Sequence, residues 1–600
     1  MFFNPLDEFF KSTCGAISAD KAITFRVKGD FNSVVFILKS DKDGAENCYL
    51  MENKGDFFKL TLTLSVGLYF YTFSVGDGKF IGKNFDFTGF ITTNPEYYQL
   101  TVYDKDYRTP DWFKGGVIYQ IFPDRFNRKN EHKILSNGQY LHAEWEETPV
   151  FLPNENGKVL NNDFFGGDLL GIVDKLDYLK SLGVTVIYLN PIFKAYSNHR
   201  YDTGDYMSID QILGDINDFK LLIDSADRLG IKVVLDGVFN HTGDDSVYFN
   251  KYGNYNSIGA YQSKDSPYYS WYNFTEYPTK YDAWWGISVL PAVNESNEQF
   301  IDFITGKNGV LEHYTKLGIG GWRLDVVDEL PSNFVKKIRN AVKGVDNDAI
   351  IIGEIWEDAS NKISYGVRRE YFQGKELDSV MNYPLKDAII NFVKTGEEKS
   401  LINVIRTQLD HYPEDVLHSL MNILATHDTV RLLTAVGGVD MTSKSKAEMS
   451  QTFIDECEID DAILKLKTAV LLQFTLYGVP SIYYGDEVGM QGYVDPLNRK
   501  CFPWGKENTE ILEWYKLLSK IRSEYDAFSS GSFNEIYACN GAIIYERIGE
   551  NSQVLVAVNL SERSLRLDFD GEIKNLLNGS VFDDKLELKP KEFGIFIKND

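Results

Sequence analysis

The chain has 600 residues, 43% apolar and 25% charged, too long for a single core because hydrophobic cores stop growing near roughly 250 to 300 residues, so two to four domains are expected. A formal charge of −25, from 62 Lys and Arg against 87 Asp and Glu, disfavours nucleic acid and anionic membrane surfaces as partners and suits a neutral substrate. No stretch reaches roughly 18 apolar residues without a charge, the start lacks a basic region leading into an apolar run, and Cys14, Cys48, Cys457, Cys501 and Cys539 are dispersed and odd in number, which together point to the cytoplasm.

From about residue 20 to 105, SVVFIL (33–38), LTLTL (60–64) and YFYTF (69–73) alternate with Gly and Asp, the rhythm of a small β-sandwich. Tyr69, Tyr71 and Phe73 lie within these strand patterns and are expected in its core. The polar, proline-containing segment 103–112 is a linker. Helical patterns ending in glycine then alternate with buried β-branched runs: 168–183 leads into VTVIYLNP, and 216–230 leads into IKVVLDGVFNH. Eight such runs, at 116–123, 184–191, 232–240, 318–326, 349–356, 378–384, 420–428 and 479–487, predict a closed (β/α)8 TIM barrel. The interval 240–318 is too long for one helix and is rich in Tyr and Trp, so a subdomain at about 242–296 is expected over the barrel mouth. Short strands at 542–548, 554–560, 564–569 and 593–597 close the chain with a second β-sandwich. The expected domains are therefore 1–108, 109–520 and 521–600.

In such barrels the chemistry gathers where the strands end. Here those ends offer Asp236 and His241, Arg323 and Asp325, Glu354, and His427 with Asp428. One such Asp reads most simply as a helix cap; several coinciding acidic positions read as a site. Glycoside hydrolysis needs one ionised and one protonated carboxyl group. Arg323, two residues before Asp325 on one strand, faces the same way and is expected to keep it ionised. Glu354, between Ile352 and Trp356 and near Asp428, is expected to have its pKa raised toward the acid role.

The motifs DGVFNH (236–241), GWRLDVVDE (321–329), GEIW (353–356) and THD (426–428), with YQIFPDRF, GGDL, NHRYDTGDY and GVPSIYYGDE in their expected places, resemble those of the α-amylase family, glycoside hydrolase family 13, in its neopullulanase, cyclomaltodextrinase and maltogenic amylase branch. The resemblance spans most of residues 110–520. It implies Asp325 as nucleophile, Glu354 as general acid/base and Asp428 as the carboxylate that binds and distorts the sugar. It further implies that His241, His427 and Tyr201 bind that sugar, that Asp495 and Arg499 contact the next one, and that Arg323 belongs with the substrate-binding set. Asp236 is expected to be mainly structural. The N-terminal sandwich resembles carbohydrate-binding module family 34, which implies a homodimer through that domain. Trp284 and Trp285 suit either a glucan groove or burial within the subdomain.

The sequence departs from the branch at Asp328-Glu329, where Asn-Glu is usual, and at Ala292 in LPAVN, where a lysine is usual. Both departures bear on linkage preference. Loop 127–133 lacks the Asp-rich spacing of a calcium loop although Asp168 remains, so no cofactor is required and a structural calcium is left open. The expected activity is retaining hydrolysis of α-1,4 bonds in maltooligosaccharides, cyclodextrins, pullulan or starch. The alternatives are glycosyl transfer by the same residues and a noncatalytic glucan-binding protein.

Overall fold

The computed structural model describes residues 2–598; Met1, Asn599 and Asp600, at the outer ends of the expected first and last domains, lie outside the described residues. In the N-terminal part, alternating burial gives Ala22–Val27 and Val35–Ser40 one apolar face each. Val35–Ser40 pairs antiparallel with Glu46–Leu50 and Gly67–Gly76, and the latter with Tyr98–Tyr103. Ala22–Val27 pairs with Phe58–Thr63 in a second sheet. The sheets close on Phe3, Phe25, Phe36, Tyr71, Phe73 and Tyr98; Tyr69 is half-buried at the edge of this cluster. Lys11 Nζ lies 2.7 Å from Asp410 Oδ1 with both side chains fully buried, tying this part to helix Lys399–His411 of the barrel.

All eight runs expected as parallel strands form them: β1 (Ile118–Ile121), β2 (Val186–Leu189), β3 (Lys232–Gly237), β4 (Gly321–Leu324), β5 (Ile350–Gly353), β6 (Ser379–Val380), β7 (Met421–Ile423) and β8 (Val479–Tyr483). Their order is β6-β5-β4-β3-β2-β1-β8-β7, each pair parallel, and a parallel bridge from Met381 to Met421 joins the two ends into a ring. Ile118, Val186, Val234, Ile350, Ile352, Met421, Ile423 and Val479 form a cluster separate from the main core, the filling of the ring. Residues of this parity point inward, and past the apolar layer the same parity delivers Gln120, Asp236, Arg323 and Glu354 to the mouth.

Helix Ile216–Arg228 starts in a capping box at Asp215 and stops before Gly230, whose φ of +71° few other residues adopt. The helix expected over 168–183 is instead two, Leu169–Asp174 and Leu176–Ser181, parted at Lys175, whose ammonium sits 3.8 Å from the Trp504 ring centre. Two long excursions rise from the mouth. After β3, residues up to Glu298 carry the hairpin Phe274–Glu276/Lys280–Tyr281, packed through Phe249 against Tyr272, Phe274 and Tyr281. Residues 127–168, after β1, carry only the pair Tyr140–Leu141 and Asp163–Phe164.

The C-terminal part is one antiparallel sheet of six strands. One face places Ile543, Tyr545, Val554, Val556 and Val558 in the main core. A register break after Asp568 lets the outer hairpin double over, so that Leu586 and Leu588 cover Ile544, Ala557 and Phe596. The sandwich expected there is thus a single sheet folded on itself.

Candidate active site

The floor of the mouth is organised around one guanidinium. Arg323 on β4 is fully buried; its Nη1 donates to Asp236 Oδ1 at 2.8 Å and to Asp325 Oδ1 at 2.7 Å, and its Nη2 makes an ion pair with Glu354 Oε2 at 2.8 Å. Expected among the substrate-binding residues, it is not part of the cavity lining, and its side chain lies beneath the carboxylates. Asp236 Oδ2 accepts from Tyr188 at 2.7 Å and Tyr201 at 2.9 Å, the structural role expected of it.

Val326, directly after Asp325, has a left-handed backbone with φ +39°. A β-branched residue in that region costs about 1–3 kcal/mol and persists only where its surroundings impose it. Here the turn aims the Val326 N–H at Glu354 Oε2, 2.9 Å away. Glu354 Oε1 accepts from Trp356 Nε1 at 3.1 Å, and Trp356 stacks on Tyr383 at 3.8 Å. The second carboxyl group is therefore fixed from three sides.

Burial pushes the Asp325 carboxyl well above its ordinary value; the Arg323 guanidinium opposes this, and Glu354 and Asp236 add to it. Arg323 thus pulls toward the ionised form, as expected, while burial works against it. One cation faces three carboxyl groups, so its pull is shared among them. Asp428 is likewise raised by burial, against the pull of Arg499 and Arg323.

His427 is held neutral, its pKa driven well below the usual value by burial and by Arg499 and Arg323. The Gln120 amide nitrogen lies 2.9 Å from its Nδ1, leaving the ring proton to Nε2, which is 2.6 Å from Tyr201 Oη and 3.2 Å from Asp428 Oδ2. Arg499 reaches Asp495 at 2.8 Å and Asp428 at 3.4 Å. Tyr201, His241, Asp325, Glu354, His427, Asp428, Asp495 and Arg499 all line one cavity of about 1240 Å³.

The cavity's walls come from the two excursions. Residues 158–161 contribute Val159 and Leu160, and residues 284–290 contribute Trp284 and Trp285. Trp284 is half-buried with its ring stacked on His241, whereas Trp285 is 79% exposed, at φ +50°, and donates to Glu329 Oε1 at 2.8 Å. Gln120, Tyr188 and Asn190 escaped the sequence reading. Each is an inward-facing polar or aromatic residue at the end of β1 or β2, and only the strand parity shared with Ile118 and Val186 could have singled them out.

The calcium left open by the sequence has no fitting site at Asp168. Its carboxylate accepts from the backbone of Gly171 at 2.6 Å, Asn130 at 2.9 Å and Lys129 at 3.3 Å, and from Lys133 Nζ at 2.6 Å. Lys133 Nζ also donates to the Ile212 carbonyl at 3.0 Å, and both charged side chains are buried. Lys133 is thus the cation that Asp168 faces, and among the described residues no group of three His, Cys, Asp or Glu side chains is arranged to hold an ion.

A family model described as "Alpha amylase, catalytic domain" matches residues 120–520. An amylopullulanase of Thermoanaerobacter thermohydrosulfuricus is 35% identical over 97% of the chain, which spans 43% of that protein; the chain covers 34% and 49% of two further amylopullulanases, less than half of each. A cyclomaltodextrinase of Thermoanaerobacter pseudethanolicus is 34% identical over 85% of this chain and 82% of its own. Among solved structures, the type III pullulan hydrolase of Thermococcus kodakarensis superposes with a TM-score of 0.69 at 27% identity, covering all of both chains.

Proposed function

The chain belongs to the α-amylase family of glycoside hydrolases, and from that premise we propose that it hydrolyses α-1,4-glucosidic bonds of maltooligosaccharides, cyclodextrins, pullulan or starch with retention of configuration. Asp325 attacks the anomeric carbon while Glu354 protonates the departing oxygen. Glu354 then takes a proton from the water that breaks the glycosyl ester. The observation that carries the reading is the guanidinium of Arg323 contacting both Asp325 and Glu354. One fork touching both carboxyl groups holds them together as a pair at the mouth, and retention of configuration is what the family resemblance implies for that pair. Neutral His427, with its proton on Nε2, and Asp428 are placed to hold hydroxyls of the reacting sugar, and Asp495 with Arg499 those of the next.

The apolar groups on the walls, Leu160, Ile287 and Val289, favour a second reading, transfer of the glycosyl group to another sugar, since an apolar rim receives a sugar face better than water. We place the enzyme in the cytoplasm and propose a homodimer through the N-terminal sandwich; the five unpaired cysteines support the first, and resemblance alone the second. No helix among the described residues is long and apolar enough to cross a membrane.

The test is chromatography of products from β-cyclodextrin, soluble starch and pullulan beside an Asp325→Ala control. Consumption of cyclodextrin ahead of starch with a dead control is the expected result. Longer products at high sugar concentration would favour transfer, and full activity of the control would overturn the assignment.

A further inference from the structure

The two nitrogens of His241 have unequal surroundings. Nδ1 lies 3.2 Å from Asn240 Oδ1, whereas Nε2 is buried without a hydrogen-bond partner. Asn240 is in turn gripped from its far side, its Nδ2 donating to Glu295 Oε1 at 2.9 Å. Glu295 Oε1 accepts there. It therefore selects which end of the amide faces it and turns Oδ1 toward the imidazole, and an oxygen at that place requires a proton on Nδ1. The imidazole has a single proton to place, because burial takes its pKa down to about 4 against the pull of the Tyr201 carbonyl. Burial pushes the Glu295 carboxyl up to about 7; a backbone N–H and the Asn240 amide pull the other way, and Glu329 adds to the rise. Of the three residues only His241 lines the cavity.

We propose that Glu295 is a positioning residue that acts through Asn240 to hold His241 as its Nδ1-protonated tautomer, leaving the Nε2 lone pair to accept from a substrate hydroxyl. The hydroxyl rests on the glycosidase reading above, whereas the relay itself rests only on the three side chains. Glu295 touches neither substrate nor reacting atoms, so its effect passes entirely through the ring it orients. Glu295→Gln keeps an oxygen that can accept from Asn240; Glu295→Ala and the bulkier Glu295→Met do not.

The experiment has two arms. Nitrogen-15 spectra of histidine-labelled protein, with the His241 signals identified by their absence in His241→Ala, should show the Nδ1-protonated pattern in wild type and Glu295→Gln. A shift toward the other tautomer is expected in Glu295→Ala or Glu295→Met. This arm needs no turnover, so it remains decisive even if the glycosidase reading fails. In the second arm, hydrolysis of a chromogenic maltotrioside, Glu295→Ala should lower kcat/KM about tenfold, the scale of one lost hydrogen bond, and Glu295→Gln far less. In a His241→Ala background, adding Glu295→Ala should cost nothing further. An unchanged His241 spectrum in both Glu295→Ala and Glu295→Met, or an equal loss of activity in both backgrounds, would overturn the proposal.

Discussion

The floor of the cleft is built from side chains at the ends of β3, β4 and β5, buried and cross-bonded around Arg323, whereas its walls come from residues 127–168 and 242–297, where Trp285 stands largely in solvent and Leu160, Ile287 and Val289 are partly exposed. On the floor Asp236, Asp325 and Glu354 are all held by the one guanidinium of Arg323, so the directions of the three carboxyl groups are fixed. Even the strained Val326 is accommodated there. On the walls the same chain spends apolar surface in water, which folding alone does not reward and a sugar face would. The contrast teaches that bond-breaking and substrate choice reside in structurally separable parts, and substitutions should divide accordingly.

The largest expected effect lies on the floor. Asp325→Asn should reduce kcat/KM on the order of 10⁴-fold or more. Its melting temperature, followed by circular dichroism, should not fall, because an excess buried anion is removed from a cluster with one cation. A substantial loss of stability would mean that this charge holds the floor together. Next comes Lys133, a wall residue buried like the floor. Lys133→Met leaves Asp168 without its cation and should cost about 3–5 kcal/mol, read by calorimetry, while chelators should leave the wild-type melting point unmoved. A drop with EDTA would instead reveal a metal.

Trp285→Ala probes the wall proper. It should raise KM for long glucans by roughly 2- to 10-fold, the scale of one aromatic contact, and leave a short chromogenic substrate unaffected. Equal effects on both would erase the distinction between wall and floor. The smallest effect is a shift of the acid limb of kcat/KM. A nucleophile works only when ionised, so a pKa raised by burial means activity is lost on acidification sooner than for an ordinary Asp. Asp236→Asn removes a like charge that adds to the rise and should move the limb to lower pH; a shift to higher pH would show that the mutation had instead loosened Arg323.

Much of the floor was legible in the sequence because each of its acidic residues ends an apolar run, a pattern that fixes both strand and direction. The ring of strands was legible for the same reason. What escaped had no periodic signal. Gln120 and Tyr188 differ from core residues only by polar atoms whose partners are distant in sequence. No residue pattern announces a left-handed valine, because it is imposed by its neighbours rather than preferred. The wall at 158–161 belongs to a stretch without alternation or capping signals, and Lys133 reads as an ordinary surface charge until Asp168 and the Ile212 carbonyl close over it. The single helix expected over 168–183 failed because periodicity runs through Lys175 while the backbone does not.

The buried contact between Lys11 and Asp410 bears on how this architecture can be rearranged. Neither ion can reach water, so each is tolerable only in the other's company. A descendant that exchanged its leading sheet for an unrelated one would strand an anion in the barrel's flank, at a penalty of about 3–5 kcal/mol. Shuffling at that border would therefore succeed only when the incoming sheet brings its own cation or when Asp410 is rewritten in the same step.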